Sequence, residues 1–271
     1  MSTAKTPPGA DATRLTALLD DPARWSSVEV VDVTGSTNAD LAAAARAGRV
    51  DAGAVLLAWH QERGRGRLER TWTAPPGTSA AVSVLLAVEG VPPTRLPWLP
   101  LAVGLAVASG IEATTGVAAA LKWPNDVLVD GRKVCGILAQ RVETPGGAAV
   151  VVGFGLNLTQ DAHQLPVPTA TSLRLAGAGD VDRLAVVAGV LTALGRVLDR
   201  WRDGDPHLVG EYRARCDSVG REVVVHLPGD ERVTGRAVDV DDSGRLVVRT
   251  PVGPRAFSVG DVVHLRATPA S

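Results

Sequence analysis

The stretch "LKWPNDVLVDGRKVCGILAQRVETPGGAAVVVGFGLNL", residues 121–158, leaves a folded chain few options. Runs of β-branched and other apolar residues are cut by Asp130-Gly131 and again by Pro145-Gly146-Gly147. Asp-Gly suits a two-residue hairpin turn in which both central residues take positive φ, and Pro-Gly-Gly closes a second hairpin. Consecutive antiparallel strands follow, so the fold must contain a sheet whose sequence neighbours pair. The remaining segments have to cover it.

Those segments alternate in kind. Residues 1–12 are polar and proline-bearing and predict a disordered tail with no apolar stretch of a signal peptide. A short helix is expected over about 13–20, and "SVEVVDVTGS" alternates as a strand does. Ser36, Thr37 and Asn38 precede "ADLAAAARAG", a helix with cap residues in front and Gly48 behind. "GAVLLAWHQ" and "TSAAVSVLLAV" read as buried strands. The apolar run "LPWLPLAVGLAVASGI" is shorter than the ~20 residues of a membrane span and predicts a buried helix over about 96–115. Residues 160–172 read as a mobile loop. Leu184, Val187, Leu191, Leu194, Leu198 and Trp201 keep helical spacing, and a second helix runs to about Cys216.

From Asp217 the texture changes to short strands and tight turns, the pattern of a small β-barrel. The expected organisation is therefore a tail (1–12), a larger α+β domain with a mixed sheet and packed helices (13–216), and a small C-terminal β-barrel (217–271).

Of 271 residues, 28 are basic and 29 acidic, so the molecule as a whole will not recruit nucleic acid or an anionic membrane. Any anion binding must be local. Cys135 and Cys216 form neither a disulfide framework nor a metal spacing, and the chain reads as cytoplasmic with no resident metal. Only Lys5, Lys122 and Lys133 are lysine. Where charge alone is needed the chain uses arginine, which marks Lys122 and Lys133 as sites that need an ammonium.

Local charge is concentrated in "QERGRGRLERTW", where Arg63, Arg65, Arg67 and Arg70 are interleaved with Gly64 and Gly66. A dinucleotide fingerprint needs a third glycine where Glu69 stands, and no P-loop motif occurs. An RNA-binding patch would need further basic and aromatic surface. Glycines between guanidinium groups suit a loop that folds over an anion. "KWPND" (122–126), "GRK" (131–133) and "GFGLN" (153–157) add ammonium groups, amides and a closely approachable backbone.

Taken in order, Ser36-Thr37-Asn38, Gln61 with Gly64-Arg65-Gly66-Arg67, Lys122 to Asp126, Gly131-Arg132-Lys133 with Gly136, and Gly153 to Asn157 resemble the motifs of biotin–protein ligases. The resemblance spans about residues 28–266 and is of the monofunctional type, without an N-terminal DNA-binding domain. It implies that 13–216 is an α+β catalytic domain like that of class II synthetases and the biotin–lipoate ligases, and that 217–271 is an SH3-like β-barrel. The implied activity is that of a biotin–[acetyl-CoA-carboxylase] ligase, which makes biotinyl-5′-AMP from biotin and Mg-ATP and passes biotin to a lysine of a biotin carboxyl carrier domain. No DNA or membrane partner is implied, and the chain is expected as a monomer or weak homodimer. A lipoate–protein ligase is the nearest alternative.

The resemblance also assigns roles. Biotin would meet Ser36, Thr37, Asn38, Gln61, Gly64, Arg65, Gly66, Arg67, Lys133, Gly136 and Gly153. ATP would meet Arg65, Arg67, Arg70, Trp72, Lys122, Asn125, Gly155 and Asn157, with Mg2+ arriving on the nucleotide. Arg67, Lys122, Lys133 and Asp126 would act on the reacting groups. After Arg67 the chain departs from the familiar "GRGRRGR" pattern, with Leu68-Glu69 in place of a basic residue and a glycine.

Overall fold

A computed structural model of the chain describes residues 9–67 and 70–265. Most of the expected tail, residues 1–8, lies outside the described residues, but the first helix, α1 (Ala10–Ala17), begins earlier than its apolar pattern suggested.

The central sheet has seven strands: β1 (Ser27–Val31), β2 (Ala54–Ala58), β5 (Ser79–Ala87), β9 (Gly147–Asn157), β8 (Arg132–Thr144), β7 (Asp126–Val129) and β6 (Ala120–Lys122), in that spatial order. Only β1 and β2 run parallel; every other neighbouring pair is antiparallel. The Asp130-Gly131 turn between β7 and β8 has positive φ at both residues (49° and 70°), as the dipeptide predicts. Pro145 and Gly146 form the two-residue link between β8 and β9, since Thr144 pairs with Gly147.

The strands read as apolar runs because both faces of the sheet are covered. Leu85, Val142, Ala149 and Val151 pack against Leu41, Ala42 and Ala45 of α2 (Thr37–Arg46). The alternate residues Val84, Leu86, Val150 and Val152 face α3 (Leu99–Thr115) and α4 (Arg183–Asp203). Period-two geometry sends neighbouring side chains to opposite faces, so each strand serves two cores at once. The apolar run at 96–111 opens as a 3-10 turn over Pro93–Trp98 and continues into α3, whose face is buried. After α4, Gly204 ends the helix with positive φ and α5 (His207–Arg215) follows. Arg200 joins these helices through Asp205 and Glu211; those hydrogen bonds raise its pKa and lower that of Glu211, while Asp205 is lowered first by the backbone N–H of His207 and then by Arg200.

The C-terminal strands β10 (Glu222–His226), β11 (Arg232–Val240), β12 (Leu246–Thr250), β13 (Gly253–Phe257) and β14 (Asp261–His264) form an all-antiparallel five-stranded SH3-like barrel in the order β13-β12-β11-β10-β14. Val223, Val225, Val248, Phe257 and Val262 fill it. The barrel is fastened to the larger sheet by indole groups: Trp98 Nε1 donates to Asp242 O (2.8 Å) and Trp123 Nε1 to Gly244 O (2.9 Å).

Two expected loops have defined structure. The arginine segment forms a small hairpin, with β3 (Gly64–Arg65) pairing β4 (Thr71–Trp72). The 160–172 segment, expected as a mobile loop, returns to the sheet and buries Gln160, Thr171 and Ser172.

Candidate active site

A cavity of about 940 Å³ lies on the glycine-rich face of β8 and β9, and its walls come from both parts of the molecule. Every residue to which the resemblance assigns a role lines it except Gly64, which is buried within the arginine hairpin against Trp72 and Gln61.

At one end stands the start of α2. Ser36 occupies the cap position without a side-chain cap bond, which leaves its hydroxyl to the cavity. The Gln61 carboxamide oxygen accepts from Thr37 N–H (2.8 Å) and Thr37 Oγ1 (3.1 Å), and Asn38 Nδ2 donates to Leu138 O (3.2 Å). Asn38 lies so close over Gly153 that a Cβ there would strike its Oδ1. Two residues further along β9 a Cβ on Gly155 would lie 2.5 Å from the Trp72 indole. Gly136, which pairs with Gly155, meets Lys133 and the edge of the same indole.

The far end carries the charge. Lys133 sits beside a bulge where pairing shifts from Val127–Cys135 to Leu128–Lys133, and its backbone turns instead to Thr169 O and Thr171 N (both 2.8 Å). Its ammonium lies 2.6 Å from Asp126 Oδ1 and 5.8 Å from the centre of the Trp72 ring. Lys122 pairs with Asp126 across the β6–β7 hairpin, and among the described residues no carboxylate lies in ion-pair reach of its ammonium. Asn125 is braced at both ends of its amide: Nδ2 donates to Ile137 O (2.8 Å) and Oδ1 accepts from Arg67 (3.3 Å). Burial lowers the Arg67 pKa, an effect opposed by Asp261 and Asp126; at an arginine this leaves the charge in place. Arg70 is committed to Asp261 on β14, and Arg65 is exposed on the hairpin.

Residues 30–157 match the Biotin/lipoate A/B protein ligase family, and residues 219–265 match the biotin protein ligase C terminal domain. The chain is 44% identical to the biotin–[acetyl-CoA-carboxylase] ligase of Mycobacterium tuberculosis over 89% of its own length and 90% of that protein's. The chain belongs to the biotin protein ligase family. Another such ligase, from Paracoccus denitrificans, is 30% identical over 84% of this chain and 97% of its own. Among solved structures, a biotin protein ligase from Aquifex aeolicus in complex with biotin and ATP superposes with a TM-score of 0.76 at 28% identity, covering 88% of this chain and 98% of that one.

Three features of this ligase fold were not singled out from the sequence. Ser83, fully buried in β5, has its hydroxyl 2.6 Å from Asn38 Oδ1 and 2.7 Å from Thr37 Oγ1. Its signal was a hydroxyl in the middle of a strand whose only other polar residue is Ser79 at its start. Asn157, which the resemblance assigned to ATP, has both ends of its amide engaged within the protein, donating to Thr171 O (2.9 Å) and accepting from Gln160 Nε2 (2.9 Å). It therefore clips the 160–172 segment beside Lys133. The barrel strand β14 supplies Asp261, Val262, Val263 and His264 to the wall, although the barrel was expected only as an appended domain.

Proposed function

We propose that this chain joins biotin to a lysine of a biotin carboxyl carrier domain, using ATP and passing through biotinyl-5′-AMP. In the first step a biotin carboxylate oxygen attacks the α-phosphorus and pyrophosphate leaves. In the second, the lysine amine attacks the carboxyl carbon of the mixed anhydride, AMP leaves, and the nitrogen loses a proton. The observation that carries this reading is one cavity with a neutral hydrogen-bonding end at Ser36–Asn38 and Gln61 and a cationic end at Arg65, Arg67, Lys122 and Lys133.

The neutral end suits the ureido head of biotin, an apolar ligand with few polar atoms. Period-two spacing on β9 sets Gly153 and Gly155 about 7 Å apart on one face, a stretch without side chains of its own, flanked by Asn38 and the Trp72 indole, along which the valeryl tail would pass. The tail would run toward Lys133, whose ammonium meets the carboxylate, while Arg65 and Arg67 fork onto carboxylate and phosphate oxygens. Two anions repel, and the site must neutralise both as charge develops on phosphorus oxygens. Lys122 would take phosphate and Trp72 the adenine face. Arg70 we assign to holding the hairpin shut through Asp261, and Asn157 to holding the 169–171 segment. The second step requires Asp126 near the entering amine; its present partner, Lys133, would be drawn off by the biotin carboxylate.

Magnesium belongs to the nucleotide substrate. Among the described residues no group of three or more His, Cys, Asp or Glu is placed to hold an ion. Asp126 and Asn125 are oxygen donors of the kind that a hydrated Mg2+ takes alongside phosphates. We further read the chain as a cytoplasmic enzyme. Lipoate is the competing acid, and the barrel speaks for biotin. The arginines line a cavity instead of an open basic surface, which speaks against RNA.

Biotin-dependent exchange of labelled pyrophosphate into ATP tests the first step without an acceptor. We expect exchange with biotin and none with lipoate, and a loss of roughly 10²–10³-fold in Arg67→Ala. Exchange with lipoate alone would move the chain to the other branch of its family.

A further inference from the structure

Strand β14 places His264 against two neighbours. Its Nε2 is 2.9 Å from Ser218 Oγ, and its Nδ1 is 3.7 Å from Asp217 Oδ2. The order serine, histidine, aspartate is that of a hydrolytic triad, but the surroundings exclude that chemistry. Ser218 is fully buried, and its oxygen already accepts the backbone N–H of Trp123 (3.2 Å). No substrate carbonyl can reach it.

The contacts instead run between the barrel and the cationic end of the cavity. Trp123 directly follows Lys122 and begins the turn that carries Asn125. Its N–H donates to Ser218, which leaves the Ser218 hydroxyl one lone pair and its proton, so the direction of the contact with His264 Nε2 is set by the ring tautomer. The carboxylate decides it: Asp217 Oδ2, a buried oxygen without a hydrogen-bond partner, lies 3.7 Å from Nδ1 and favours hydrogen there, which makes Nε2 the acceptor of the Ser218 proton. A neutral ring in this tautomer accepts from Ser218 and turns its N–H dipole toward the Asp217 charge. Asp217 is itself anchored: Oδ1 accepts from Arg221 (2.5 Å), and its N–H donates to Leu121 O (2.7 Å).

We propose that His264 is a positioning residue for ATP: through Ser218 it fixes the Trp123 backbone and with it the place of Lys122 and Asn125 against the phosphates. This rests on the ligase reading above. The groups facing the ring are Lys122, Arg221, Asp126 and Asp217. Burial first and then the Lys122 charge push its pKa down to about 4, which keeps the ring an acceptor at neutral pH.

The test compares wild type with His264→Leu, His264→Gln and Ser218→Ala in pyrophosphate exchange, with ATP and biotin titrated separately at pH 7.5. Losing one buried acceptor corresponds to about tenfold. We expect His264→Leu and Ser218→Ala to raise the KM for ATP by about that factor and to leave the KM for biotin within about twofold. The glutamine variant, whose Oε1 can accept from Ser218, should recover most of the loss. Equal changes in both KM values, a changed Tm with neither KM altered, or no rescue by glutamine would each overturn the proposal. Should the leucine variant not fold, Ser218→Ala decides. An activity-independent readout separates this from failure of the ligase reading: the ¹⁵N shifts of His264 at pH 7 should report the Nδ1–H tautomer. An Nε2–H ring would refute the contact chain even in an active ligase, whereas Nδ1–H with no exchange by wild type would refute the ligase reading.

Discussion

Gly153 is a position where hydrogen is the only substituent that fits. A methyl group there collides with Asn38 Oδ1 and pushes the amide out of the cavity end. Gly153→Ala should therefore fold but lose most of the stabilisation that biotin gives, which thermal unfolding with and without biotin would show. Ser83 acts on the same amide from below. Ser83→Ala leaves a buried acceptor on Asn38 without its donor, a loss of about 1–3 kcal/mol in urea unfolding. The motif residues were legible because ammonium, guanidinium and carboxamide groups at these spacings have few structural uses. Ser83 was not, since a serine among the apolar residues of β5, which also begins with Ser79, carries no pattern; nor was the clip between Asn157 and Gln160, which depends on a return of the chain that no local signal encodes.

Elements were legible in proportion to how local their causes are. The two hairpins of the β7–β9 meander follow from turn residues, α2 from its flanking cap residues, α3 from an apolar run and α4 from apolar spacing. The arginine hairpin escaped because two-residue strands have no period to detect and glycine-rich segments read as loops. Its fixing contact, Arg70 with Asp261, is exposed on the arginine side. Such pairs are worth less than about 1 kcal/mol, so Asp261→Asn should barely move the urea midpoint. At the start of α4, Asp182 accepts from Leu184 N–H (3.1 Å) and Ala185 N–H (3.3 Å). Replacing it by alanine removes a cap worth about 0.5–2 kcal/mol, and the midpoint should fall accordingly.

Across the whole molecule, a change of texture at Asp217 announces the barrel, but nothing in the sequence tells that Trp98 and Trp123 will hydrogen-bond to it. Those contacts predict that a chain ending at Cys216 leaves two indole N–H groups and an apolar face uncovered; size-exclusion and near-ultraviolet circular dichroism should show aggregation or lost packing. The barrel also sets the response to acid. His264 is held near 4 when folded against about 6.5 in an unfolded chain, so the unfolded state takes its proton first. Stability from this group is complete above about pH 6.5 and declines as pH falls toward 4. Wild type should lose more stability than His264→Gln between pH 7.5 and 5 in urea titrations.

Of the six tryptophans, Trp25, Trp59, Trp98, Trp123 and Trp201 are buried, and Trp72 alone is partly open, with its indole laid across Gly155 beside Lys133. The molecule thus carries its own optical probe at the mouth of its cavity. Acrylamide should quench one emitting centre selectively, and a ligand that displaces or covers that ring should both shift the emission and shield it, so occupancy can be followed by light without any label.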